Sequence, residues 1–103
     1  MDTQIKKGIV EMCILHKLKE RDYYGYDLMQ ELQELNLEME DSSFYAILRR
    51  LNKEGLAEVY CGTESKGPQR KYYRITQSGM DRLEEVLADW DAIRAIVRKI
   101  TNK

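Results

Sequence analysis

The feature that most constrains this chain is a change of hydrophobic period at Gly55. Before it, Phe44, Ile47, Leu48 and Leu51 recur at i, i+3, i+4 and i+7, which draws one apolar stripe along a helix. After it, Ala57, Val59 and Cys61 alternate with Glu58 and Tyr60, the period of a strand, so a strand is expected over 56–61. Glycine reaches the left-handed conformation that closes a helix at little steric cost, so the switch falls where the backbone can make it. A second alternation, Lys71, Tyr73 and Ile75 against Tyr72 and Arg74, makes 70–75 the return strand of a hairpin with residues 62–69 at its tip. Asp41, Ser42 and Ser43 are all suitable N-caps for the helix that precedes it. Ser42, Ala46, Arg49 or Arg50, and Lys53 share the face opposite the apolar stripe, so that face is small and basic.

The flanking segments supply the rest of a small α-rich domain. Residues 4–20 read as a first helix, nearly continuously apolar from Ile9 to Leu15 except for Glu11, and therefore buried on more than one side. A polar connection over 20–24 leads to Gly25, which permits close approach of a second helix. That helix runs from about Tyr24 to Asn36 and carries Leu28, Met29, Leu32 and Leu35 on one face. Thr76 or Ser78 caps a last helix that begins near Gly79 and runs towards Ile100. In it Leu83, Val86, Trp90, Ile93, Val97 and Ile100 follow the heptad spacing of a helix–helix seam, which Leu87 and Ile96 widen. About 22 residues at 1.5 Å each give roughly 33 Å of helix, more than so small a body needs, so part of the seam is expected to pack on a second copy together with Ile9. The expected fold is mostly α with a β-hairpin. It is a winged helix-turn-helix over 1–76 followed by a long C-terminal dimerisation helix over 77–103, the two forming one compact unit.

Charge agrees with that fold only when its distribution is considered. The 103 residues carry a net charge of −1 and a pI near 5.9, which alone does not suggest a nucleic-acid binder. Residues 42–76, however, hold seven Lys or Arg against three Glu, and the remainder holds ten against fifteen. A basic edge on an acidic body is the electrostatic footprint of a chain that meets duplex DNA with one side. The competing reading is a protein-interaction module that uses the acidic body. Catalysis finds no support: His16 has no second acid, base or metal ligand placed beside it, and the carboxylates are scattered. Cys13 and Cys61 lack the spacing of a metal or redox motif and are expected in the core, so no metal or other cofactor is expected. Gly62 and Gly67 have phosphate-loop spacing, but Pro68 stands where the lysine belongs and a strand follows where a helix is required. No apolar run reaches membrane-span length and the start MDTQIKKG has no signal-peptide core, so a cytoplasmic protein is expected.

Three stretches carry a resemblance: YYGYDL at 23–28, SSFYAILRRLNKEGLAE at 42–58 and GPQRKYYRITQSG at 67–79. They are similar to the PadR family of bacterial transcriptional regulators, in particular its small members with a single C-terminal helix. Ser42 stands where many members have glycine and Ala46 where many have proline, which should alter the start of the recognition helix and base preference. The resemblance implies DNA contact by Ser43, Tyr45 and Arg49 on the recognition helix and by Lys66, Arg70 and Lys71 on the wing; Ser42 and Lys53 join them from the basic face. It also implies a homodimer on a palindromic operator, repression, and relief by a planar aromatic small molecule stacked on Trp90 between the last helices.

Overall fold

Gly55 takes a φ of 76°. Its N–H donates to the Asn52 carbonyl at 3.1 Å and the Leu56 N–H donates to the Leu51 carbonyl at 2.9 Å, the paired bonds that close a helix through a left-handed residue. The helix so closed is α3 (Asp41–Lys53) and the strand that follows is β2 (Ala57–Cys61). In this computed structural model, which describes residues 1–62 and 70–102, β2 pairs antiparallel with β3 (Lys71–Ile75), from Ala57 opposite Ile75 to Cys61 opposite Lys71. Of the tip expected at 62–69, residues 63–69, Lys66 included, lie outside the described residues. The same closure ends α2 (Gly25–Glu34), where Asn36 supplies the left-handed residue with φ 62° and the Leu37 N–H donates to the Leu32 carbonyl.

The chain opens with α1 (Thr3–Glu20), capped by the Asp2 carboxylate, which accepts from the Gln4 and Ile5 N–H groups. The connection expected at 20–24 contains a two-residue strand, β1 (Tyr23–Tyr24), which hydrogen-bonds to β3 and gives a three-stranded sheet in the order β1-β3-β2. Glu31 holds this strand in place by accepting from Lys17 at 3.2 Å, from Arg21 at 3.4 Å and from the Tyr23 hydroxyl at 3.3 Å. The start of α3 also differs from expectation. Glu40 is the N-cap and makes no side-chain capping bond, so Ser42 and Ser43 are already inside the first turn. Asp41 sits in that turn, where its charge complements the positive helix end. Ser42 therefore keeps an exposed hydroxyl instead of spending it on a cap.

Val10, Ile14, Leu15 and Leu18 of α1, Leu28 and Leu32 of α2, and Phe44, Ile47, Leu48 and Leu51 of α3 form the core, with Tyr23, Ala57 and Tyr73 of the sheet closing one side. Thr76 starts α4 (Gln77–Thr101). Its hydroxyl accepts from the Gly79 N–H at 3.0 Å and donates to the Gly55 carbonyl at 2.6 Å, tying the last helix to the end of α3. Gly79 is required there, because a Cβ would lie 2.1 Å from the Leu56 carbonyl oxygen.

Three core expectations are corrected. Leu83, expected on the dimer seam, is 1% exposed within the single chain, so its surface is already used by its own core. Cys61 is exposed, because β2 is an edge strand whose outer end, Val59 included, lies beyond the cover of the helices, and Cys13 of α1 is only half-buried, packed against the margin of the core. Beyond Leu83 the seam emerges: Val86 and Trp90 are half-buried, and Ile93, Val97 and Ile100 are 45%, 48% and 77% exposed. At 1.5 Å per residue the 25 residues of α4 span roughly 38 Å. Among the described residues, no helix is long and apolar enough to cross a membrane.

Candidate nucleic-acid interface

With Phe44, Ile47, Leu48 and Leu51 turned into the core, helical geometry leaves Ser42, Ala46, Arg49 and Lys53 on the outer edge of α3, and all four are exposed. Ala46 gives that edge a low profile, so a partner surface can approach the helix backbone between the hydroxyl and the cations. The two adjacent arginines part company. Arg50 donates to Glu54, the C-cap of its own helix, at 2.8 Å and turns towards α1, where it pairs with Glu11 at 3.4 Å. Burial works against the Arg50 charge, but the Glu54 hydrogen bond and the Glu11 carboxylate outweigh it and raise its pKa above the ordinary value. Glu11, the polar break in the apolar run of α1, also faces Arg82 of α4 at 3.9 Å, so one carboxylate links α1, α3 and α4.

Arg49 instead faces the sheet. It joins Arg70 and Lys71 around a groove of about 390 Å³ whose other walls are Tyr24, Tyr26 and Tyr45, with Gly25 and Tyr73 at its base. A Cβ on Gly25 would sit 3.3 Å from ring carbons of both Tyr45 and Tyr73, so glycine lets α2 pack close against those rings. Tyr45 stands edge-on to the buried Phe44, ring centres 5.4 Å apart, and presents its other side to the groove. Burial raises its pKa, so its hydroxyl stays protonated and available as a donor.

The end of the hairpin nearest its connecting loop is stiffened by a row of rings across the three strands. Tyr24 and Tyr72 lie 6.0 Å apart, Tyr72 and Tyr60 stack at 5.7 Å, and the Tyr60 hydroxyl donates to Asp22 at 2.5 Å. The Arg70 guanidinium lies 5.0 Å over the Tyr24 ring, which holds the cation without neutralising it.

Ion pairing separates these groups from the neighbouring arginines. Among the described residues, Arg50, Arg74 and Arg82 are paired with carboxylates, whereas Arg49, Lys53, Arg70 and Lys71 form no ion pair. Unpaired cations ringing a groove beside an exposed helix edge suit a polyanion whose charges are regularly spaced. The structure thus brings Tyr45, Arg49, Arg70 and Lys71 together and sets Ser42 and Lys53 on the adjoining edge. Ser43 turns to the opposite flank, into a separate cleft beside α1. Sequence reasoning gave Tyr24, Gly25 and Tyr26 no place in the site; the aromatic run around Gly25 was their only signal. Trp90 stands apart on α4, one turn beyond Leu87. Leu87 lines an apolar cleft of about 330 Å³ with Met12, Cys13, His16 and Leu35. No group of His, Cys, Asp or Glu among the described residues could hold a metal ion.

Known proteins match this architecture along almost its whole length. A PadR-like transcriptional regulator from Bacillus cereus is 34% identical, with a TM-score of 0.85 over 98% of this chain and 99% of that one. A Streptococcus transcriptional regulator is 29% identical, with a TM-score of 0.86 over 97% and 99%. An uncharacterized protein of Lysinibacillus sphaericus is 34% identical over 98 residues, covering 92% of this chain and 90% of its own. The model of the transcriptional regulator PadR-like family matches residues 14–85, which include every element from the second half of α1 to the first turns of α4. The chain belongs to the PadR-like family of transcriptional regulators, whose members are not enzymes, and that membership implies DNA-binding regulation.

Proposed function

We propose that this protein is a homodimeric repressor that reads a palindromic operator, residues 1–76 forming the DNA-binding unit and α4 the dimerisation helix. The observation that carries the reading is the placing of unpaired Arg49, Arg70 and Lys71 around one groove beside the exposed edge of α3. In this reading α3 enters the major groove. Arg49 is long enough to reach a guanine edge with two hydrogen bonds, which confers sequence preference. Arg70, Lys71 and the Tyr45 hydroxyl hold the adjoining backbone and set the register without reading sequence. Ser42 and Lys53 extend the contact along the helix, and Lys66 extends it along the wing.

The second copy is supported by the apolar half of α4, where Trp90, Ile93, Val97 and Ile100 have no cover from their own chain sufficient to bury them. Val86 and, from α1, Ile9 continue that surface. A planar aromatic ligand stacked on Trp90 between two such helices would shift α4, and the Arg82–Glu11–Arg50 chain of contacts offers a path from that shift to α3. Binding of a random-sequence duplex by the full chain over a salt series tests the DNA reading. Affinity should fall steeply as salt rises, because neutralised phosphates release counterions. A duplex affinity that ignores salt would refute the reading. Trp90 fluorescence should be quenched by flat aromatic cations, and an unchanged emission would remove the ligand part alone.

A further inference from the structure

The recognition helix has two flanks, and only one of them faces the wing. On the other side α1 and α3 enclose a cleft of about 240 Å³ lined by Lys7, Ser43, Ala46, Ile47 and Arg50. We infer that this cleft is a second phosphodiester-binding subsite, with Lys7 and Ser43 as its donors, so that the DNA backbone is held on both sides of α3. This inference rests on the DNA-binding reading above and deepens it.

Three features of the cleft support it. Lys7 is exposed and forms no ion pair among the described residues, and the Ser43 hydroxyl makes no hydrogen bond among them, so a cation and a neutral donor are both uncommitted. Arg50 is held at the rim by Glu54 and Glu11, which fixes its position but offsets much of its charge, leaving Lys7 as the net attraction for an anion. Position along the helix supplies the third. At 100° per residue Ser43 and Arg50 lie on one side of the Ser42, Ala46 and Lys53 edge, while Tyr45 lies on the other. A helix with its side chains is about 10–12 Å across and the B-DNA major groove is about 12 Å wide, so a helix seated in it has a phosphate strand along each flank. The wing-side groove meets one strand and the α1-side cleft meets the other.

The test compares the full-length chain with Lys7→Gln and Lys19→Gln, binding a random-sequence duplex about three helical turns long. Lys19, at the far end of α1, is also exposed and forms no ion pair among the described residues, so it controls for charge alone. Each lost phosphate contact lowers the slope of log affinity against log salt by about 0.9 and both copies of the dimer carry the change, so the slope should fall by about 1.8 and the advantage of the parent over Lys7→Gln should shrink about 12-fold between about 50 and 200 mM salt. Lys19→Gln should keep the parental slope, and Lys7→Glu should weaken binding further than Lys7→Gln. Equal slopes for Lys7→Gln and Lys19→Gln, with the parent still binding, would overturn the subsite alone. A parent that binds no duplex would overturn the DNA reading and the subsite with it.

Discussion

Arg49 and Arg50 are adjacent in sequence and chemically identical, yet the structure assigns them different work. Replacing Arg50 by alanine removes the 2.8 Å bond to Glu54 and the closer of the two cations beside Glu11, whose side chain is only 13% exposed. Breaking a fully buried ion pair costs about 3–5 kcal/mol and a surface pair about 0–1. The Arg50 side chain is 46% exposed and Arg82 remains 3.9 Å from Glu11, so the expected loss is about 1–2 kcal/mol, in the lower part of that range. For a domain of this size that lowers the melting temperature by roughly 5–10 °C. Arg49 has no such partner among the described residues, so Arg49→Ala should change stability by less than about 0.5 kcal/mol. Its cost should fall on recognition, with preferred duplexes losing roughly 5- to 150-fold in affinity per half-site and non-preferred ones much less. Thermal unfolding by circular dichroism at one fixed protomer concentration, with fluorescence anisotropy on labelled duplexes, measures both. Equal destabilisation by the two substitutions, or loss of sequence preference with Arg50→Ala and not with Arg49→Ala, would refute the assignment.

Other outcomes follow from the fold and its proposed assembly. Gly79→Ala drives a methyl into the Leu56 carbonyl and should cost roughly 1–3 kcal/mol, seen as a lower urea midpoint with an unchanged slope. Burial raises the pKa of Tyr23, Tyr45 and Tyr73, the Asp22 hydrogen bond raises that of Tyr60, and the Glu31 hydrogen bond raises that of Lys17. At neutral pH both folded and unfolded chains keep these protons. Above about 10.0, the ordinary tyrosine value, the unfolded chain releases them first, so stability should fall through the alkaline range until the folded pKa values are passed. Unfolding followed from pH 7 upward checks the sign, and a rise in stability above pH 10 would contradict it. Val97→Asp places a charge on the uncovered half of α4 and should turn a sedimenting dimer into a folded monomer with weaker DNA binding; a dimer that survives the change would place the interface elsewhere.

Much of this was legible because it is local. The period switch at Gly55 located the end of α3 and the start of β2 to within a residue, and the stripe from Phe44 to Leu51 oriented the helix and so its outer edge. What escaped depends on contacts distant in sequence. Periodicity could not separate Arg49 from Arg50, since the difference is made by Glu11 on another helix. β1 has two residues, too few to alternate, and exists only because β3 offers it an edge. The heptad spacing of α4 is uniform through Leu83 and Val97, so it marks the seam but not the point where the helix leaves its own body. Cys61 followed the inward alternation of Ala57, but the alternation says nothing about where the cover above an edge strand ends.

In the proposed assembly a basic edge built from α3 and the sheet is presented twice, by two copies joined through α4. Duplexes selected by the full chain from a random pool, then footprinted with the same protein, measure this directly. Two protected half-sites related by two-fold symmetry are expected, their centres one helical turn or a multiple of it apart, with one turn about 34–36 Å. A single protected site without symmetry, or a selected pool no different from the starting one, would contradict it.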